Sequence, residues 1–237
     1  MKVELVGTGA IYSKYNSACT LVNGEMLVDV PNGVLKQLIN SHHYPEKIDK
    51  ILITHMHGDH IADIPFLLMY MYRNKKETKT ITIIGPKNIK NKVEELYDVY
   101  DYNYENVKNY IKFIEFDKNE VLEIDNKKYK IKPIPVIHGK EIPAYGYVIN
   151  EKLGVTGDTS LCEGVENIVK ESDMTIADCT RIIGDKSHMG IDNLKYLTDK
   201  YNKVIIPTHI KDETREELKK LNTQKILVNE DGYEFEM

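Results

Sequence analysis

Residues 50–65, KILITHMHGDHIADIP, place three of the chain's eight histidines and an aspartate within six positions: His55, His57, Asp59 and His60. The aliphatic run Ile51–Ile53 reads as a short buried strand ending at Thr54-His55. Beyond it, His55 and His57 are two apart and project to the same side of extended chain. Gly58 permits a sharp turn, so Asp59 and His60 point into the neighbouring volume. Imidazole and carboxylate are the ligands of zinc and related divalent metals. Four such groups with different aims exceed what one tetrahedral ion takes from one segment, and they suit two adjacent ions. One closed zinc staple, or histidines that cap and pack, are the structural alternatives.

Two ions need ligands from elsewhere. His138 in PVIHG and His209 in IPTH each close a strand signal, and Asp158 in VTGDT sits at another beside a glycine. An aspartate with two oxygens can bridge two ions. His42 and His43 in NSHHYPEK read as a surface turn. KILITH and KVIIPTH echo one another, each running an apolar strand into Thr-His.

Strand signals recur at KVELVGTG, ACTLVNGEMLVDV, KTITIIG, YKIKPIPVIHG, YGYVIN, LGVTGD, DMTIADCT and KILVNEDGYEFEM, the last with a hairpin turn at Asp231-Gly232. Helical patterns cover 33–40, 88–100, 163–170, 191–200 and 213–221. Strands mixed with helices imply an α/β layered fold. No Gly-, Ser- or Pro-rich linker divides the 237 residues, so one domain, 1–237, is expected. The helix after Pro65, IPFLLMYMY, is apolar on every side and is expected to be buried all round, in the core or in a homodimer interface. The tyrosine-rich 97–110 interleaves acids that would repel phosphates, and reads as amphipathic helix and loop.

The 41% hydrophobic and 29% charged content is that of an ordinary globular protein. No apolar run approaches the ~18 residues of a membrane span, and MKVELVGTGA lacks signal-peptide features, so no membrane partner and a cytoplasmic location are expected. Three scattered cysteines suit reduced thiols. A net charge of −5 and only three arginines argue against gripping long nucleic acid and favour a small substrate.

His55-x-His57-x-Asp59-His60, followed by His138, Asp158 and His209, resembles the metallo-β-lactamase-fold hydrolases over nearly the whole chain. The resemblance implies an αββα four-layer sandwich with a dinuclear site. His55, His57 and His138 would hold one metal, Asp59, His60 and His209 the other, and Asp158 would bridge. Zn²⁺ is the first expectation, with Mn²⁺ fitting the same ligands. His57 stands where di-iron redox relatives carry glutamate, which disfavours redox chemistry.

VGTGA, NSACTLV, LVDVPNGVLKQL, HGKEIPAYGYVI, VTGDTS, ADCT and SHMG resemble the ribonuclease Z-like phosphodiesterase branch, although Pro31 stands where glycine is usual. That likeness implies that Asp178 orients His188 and that His188 faces the scissile phosphate. Asp59 would orient the nucleophile, a hydroxide made at the metals. Bacterial tRNA-processing members carry a long arm between the third motif and the bridging aspartate; here His138 and Asp158 are 20 residues apart. The expected activity is therefore hydrolysis of a small phosphodiester, such as a cyclic or short nucleotide. tRNA 3′ processing, lactone or thioester hydrolysis, and non-catalytic binding are the alternatives.

Overall fold

The computed structural model describes residues 1–74, 80–116, 120–139 and 142–237. Lys79 of the expected strand KTITIIG, and Lys140 and Glu141 of HGKEIPAYGYVI, lie outside the described residues. The chain divides into two compact units, each assembled from separated segments: 1–7, 16–116 and 231–237 in the first, 8–15 and 117–230 in the second.

The first unit is built on seven strands: β1 (Lys2–Gly7), β2 (Cys19–Val22), β3 (Met26–Val28), β4 (Lys50–Leu52), β5 (Ile81–Pro86), β6 (Ile111–Phe116) and, from the chain's end, β13 (Tyr233–Glu236). Their order is β13-β1-β2-β3-β4-β5-β6. β3 to β6 are parallel, so they all finish at one edge. Helices α1 (Val34–Asn40), α2 (Gly58–Ile61), α3 (Ile64–Asn74) and α4 (Ile89–Val99) connect them. The core joins Leu27, Ile51, Ile53 and Ile83 of the strand segments to Leu38, Leu67, Met71 and Val93 of the helices. Near-continuous apolar strands of this kind are what a parallel sheet demands.

The second unit carries β7 (Leu122–Ile124), β8 (Tyr129–His138), β9 (Ile142–Ile149), β10 (Leu153–Val155), β11 (Met174–Asp178) and β12 (Val204–Thr208), ordered β12-β11-β10-β9-β8-β7. β8 opposes β9 and β9 opposes β10, while β10, β11 and β12 are parallel. Thus β8, β10, β11 and β12 all run the same way and end at the same edge. Helices α5 (Glu163–Glu171), α6 (Ile191–Tyr201) and α7 (Asp212–Lys219) supply Val165, Ile168, Leu194, Leu197 and Leu218 to the core. Pro133 and Pro135 are tolerated within β8 because β7 pairs only as far as Ile131.

Several expectations are corrected. ACTLVNGEMLVDV is two strands, because Asn23 and Gly24 both adopt positive φ (52° and 70°), the requirement of a tight hairpin turn. β6 and β7 carry weaker strand signals and were not expected. Asp231-Gly232 turns the chain, but its flanks do not pair with each other: Ile226 bridges Ile205 while β13 pairs with β1. α3 is not buried all round: Ile64, Pro65, Leu67, Leu68 and Met71 are buried, whereas Phe66 is 36% and Tyr72 46% exposed. Phe66 packs on the rings of Tyr100 and Tyr102, which partly shield it. His43 is more than a surface turn, since its Nε2 pairs at 2.8 Å with the buried Glu4 of β1. Among the described residues, no helix is long and apolar enough to cross a membrane.

Candidate metal centre

In the first unit the site is built where β3 and β4 end. Asp29 follows β3 and takes a left-handed backbone (φ 64°), which Asp tolerates better than most residues. Its buried carboxylate accepts the Thr54 N–H (2.8 Å), the Thr54 hydroxyl (2.8 Å) and His60 Nδ1–H (2.8 Å). Thr54 Oγ1 lies 3.1 Å from His55 Nδ1. With its proton donated to Asp29, that hydroxyl accepts from His55. Both His55 and His60 therefore have Nδ1 committed and present Nε2, the arrangement that outer-shell partners impose on metal-binding histidines. His57 is exposed, and its Nδ1 lies 3.0 Å from His55 Nε2. Asp59, in the first turn of α2, has an oxygen 3.8 Å from His60 Nε2.

In the second unit four strand ends contribute. His138 closes β8 and donates Nδ1–H to the Ser187 carbonyl at 3.0 Å, again leaving Nε2. Gly157, at φ 61°, turns the chain after β10 and presents Asp158. Asp178 closes β11; His209 follows β12 with a left-handed backbone (φ 52°). His209 Nε2 is 3.2 Å from Asp158 Oδ2, and its Nδ1 is 2.8 Å from Thr180 Oγ1. Asp178 is fully buried and accepts His188 Nδ1–H at 2.8 Å. Ligating atoms of His138, Asp158 and His188 lie within 4.8 Å of one another, as do those of Asp178, His188 and His209. Burial lowers the His188 pKa, but the Asp178 hydrogen bond and the charges of Asp178 and Asp158 outweigh it and raise it above 6.5.

Eight of the nine residues singled out in the sequence thus lie at or just beyond strand ends or on α2, and the ninth, His188, lies in the loop that leads into α6. The donor set fits divalent ions: the buried imidazoles of His55, His60, His138 and His209 have Nδ1 tied back, and carboxylates lie beside the Nε2 atoms of His60 and His209. Three residues of the arrangement were not anticipated: Asp29, Thr54 and Thr180. The signal for the first two was only a strand-end Asp in LVDV and a Thr immediately before His55.

The model of the family described as "Anti-Pycsar protein Apyc1" matches residues 1–233. The chain belongs to this family. The chain also has likenesses outside this family. Ribonuclease Z of Methanococcus aeolicus is 34% identical over 158 residues, covering 64% of this chain and 47% of that protein. The chain thus spans about half the length of the first curated relatives it matches. The Bacillus subtilis metallo-β-lactamase fold protein YhfI superposes with a TM-score of 0.77 at 20% identity, covering 99% of this chain and 98% of that one. The short form of human tRNase Z superposes with 0.76 at 21%, covering 100% and 98%. This member of the Apyc1 family therefore has the α/β metallo-β-lactamase fold expected from its sequence, and it resembles the ribonuclease Z branch.

Proposed function

We propose that this chain is a metal-dependent phosphodiesterase acting on a small phosphodiester, a cyclic nucleotide or short nucleotide. His55, His57, Asp59, His60, His138, Asp158 and His209 would hold two divalent ions, Zn²⁺ first and Mn²⁺ as the alternative. Such ions polarise phosphoryl oxygens and acidify water. The observation that carries the reading is the Asp178–His188 pair, whose imidazole lies within 4.8 Å of His138 and Asp158 ligating atoms. Carbonyl hydrolysis has no need of a second, carboxylate-backed imidazole there.

His188 keeps Nδ1–H on Asp178 and presents Nε2. In its protonated form, favoured by the raised pKa, it steadies phosphoryl charge or gives a proton to the leaving oxygen. Asp178 fixes the ring and supports that charge. Asp59 would orient the attacking water. Small substrates are favoured because β8 leads through β9 to β10 as a short meander, so the 19 residues between His138 and Asp158 are mostly strand. tRNA 3′ processing is the second reading, favoured by relatives named ribonuclease Z. A homodimer is proposed through the exposed Phe66 and Tyr72 of α3.

The test is a turnover screen of metal-loaded protein with cyclic nucleotides, dinucleotides, lactones, thioesters and a tRNA precursor. Cleavage of the nucleotides supports the reading. Inactivity toward them with the precursor cleaved replaces it with tRNA processing.

A further inference from the structure

We propose that Thr180 is a positioning residue that ties a metal ligand, His209, to the phosphate-facing His188 through one shared carboxylate, Asp178. The proposal rests on the phosphodiesterase reading above. A threonine hydroxyl has one proton and two lone pairs. Four atoms surround Thr180 Oγ1: Asp178 Oδ1 at 2.7 Å, His209 Nδ1 at 2.8 Å, the His209 carbonyl at 2.9 Å and His188 Nδ1 at 3.2 Å. The charged oxygen is the strongest acceptor and the shortest contact, so it takes the proton. His209 Nδ1 must then be an N–H donating to Thr180, which leaves Nε2 as the nitrogen turned toward Asp158.

That assignment has a consequence at Asp158. With Nδ1 turned to Thr180, His209 Nε2 is aimed at a carboxylate oxygen of Asp158, 3.2 Å away. A divalent cation would fit between a histidine nitrogen and a carboxylate oxygen aimed at each other in this way. On the other side, His188 Nδ1 is closer to Asp178 Oδ2 (2.8 Å) than to Thr180 (3.2 Å), so its proton goes to the carboxylate. The two oxygens of Asp178 are therefore divided: Oδ1 serves Thr180 through its N–H and hydroxyl, and Oδ2 serves His188 and the Thr159 N–H. Thr180 is 2% exposed, and its carbonyl is held by the Thr214 hydroxyl of α7 at 2.8 Å. It has no freedom to turn away.

The Asp29–Thr54–His55 wiring in the first unit is a similar device, although Thr54 and His60 share one oxygen of Asp29, and the imidazole partner differs in kind. There the carboxylate's direct imidazole partner, His60, belongs to the proposed ligand set. Here the direct partner is His188, which does not. Thr180 is thus where metal retention and phosphate contact share one hydrogen-bond chain.

The test compares Thr180→Val, which keeps the branched shape and loses the hydroxyl, with Thr180→Ser, which keeps the hydroxyl. Metal retention is read by competition with a chromophoric chelator and by the Co²⁺ absorption spectrum. Thr180→Val should weaken retention of one ion by about 10–100-fold, the usual effect of losing an outer-shell partner. At saturating metal its kcat should still fall at least about tenfold with KM little changed, because His188 loses its register. Thr180→Ser should stay within about threefold on both readouts, well short of that outer-shell loss. If Thr180→Val does not fold, judged by circular dichroism, Thr180→Ala gives the same comparison. Wild-type metal affinity in the Val or Ala variant, or equal damage in the Ser variant, overturns the proposal. Chelator competition needs no substrate. A wild-type protein that binds two ions yet cleaves no phosphodiester sinks the functional reading while Thr180 is still judged on retention. A wild-type protein that binds no ion overturns both.

Discussion

Asp178→Asn is the most informative single change, because four donors converge on one fully buried carboxylate. Oδ1 accepts the Thr180 N–H (2.9 Å) and hydroxyl (2.7 Å); Oδ2 accepts the Thr159 N–H (2.9 Å) and His188 Nδ1–H (2.8 Å). An asparagine offers one oxygen and one NH₂. Whichever way it turns, the NH₂ faces a backbone N–H that cannot rotate, from Thr159 or from Thr180. One buried donor left unsatisfied costs about 1–3 kcal/mol, and losing hydrogen bonds to a charged acceptor about 1.5–3 kcal/mol. Together these give about 3–5 kcal/mol, in line with breaking a buried charged pair. For a chain of this size that is a Tm fall of roughly 6–20 °C. The assay is thermal melting of chelator-treated protein, which removes any contribution from bound metal. With NH₂ toward His188, the imidazole accepts at Nδ1 and its proton moves to Nε2. Turnover of the metal-loaded variant should therefore fall by about 10–100-fold as well. A variant melting within about 1 kcal/mol of wild type would show that the donors have other partners, and the four-bond account would be wrong.

Three further outcomes follow from other parts of the molecule. His188→Ala should abolish most phosphodiester turnover while metal content, measured by mass spectrometry, stays at the wild-type level; persisting activity removes His188 from the chemistry. Gly164→Ala should destabilise by about 2–3 kcal/mol, because a Cβ there meets the Pro135 carbonyl at 2.0 Å. The usual helix gain on Gly→Ala has the opposite sign, so denaturant melts decide between them. Asp185 loses some charge stability by burial, but its bonds to the Ser187 and His188 N–H groups and the nearby Arg181 hold its pKa below 3.8. A depressed carboxylate contributes stability above its unfolded pKa and loses it as pH falls through the folded value. Asp185→Asn should therefore cost under about 1 kcal/mol at pH 7, given the group's exposure, and the difference from wild type should shrink as pH falls below the ordinary carboxylate range in paired denaturation curves.

Much of the candidate site was legible along the chain. Histidine and aspartate declare their ligand chemistry by side-chain type, and short apolar runs ending in Thr-His or Gly-Asp mark strand ends by local pattern. Parallel strands then bring those ends to one edge of each sheet, which is why His138, Asp158, Asp178 and His209 share an edge although up to 71 residues separate them. The hydrogen-bond partners were another matter. Asp29 and Thr54 are 25 residues apart and Thr180 and His209 are 29 apart, and threonines and aspartates are too common to single out. Their pairing depends on which strands neighbour each other and in what register.

The same limit applies elsewhere. The alternation of apolar and polar residues could not say that Phe66 and Tyr72 stay exposed on an apolar helix, that His43 reaches Glu4, or that β13 pairs with β1 rather than folding back across Asp231-Gly232. By itself the sequence determined the ligand types, the α/β class and the strand ends, because those rest on side-chain chemistry and on spacing within a few residues. Only the tertiary structure decided which nitrogen each histidine presents. That choice is made by a carboxylate, hydroxyl or backbone carbonyl that the fold sets beside the ring, as Asp29 does for His60, Thr180 for His209 and Ser187 for His138.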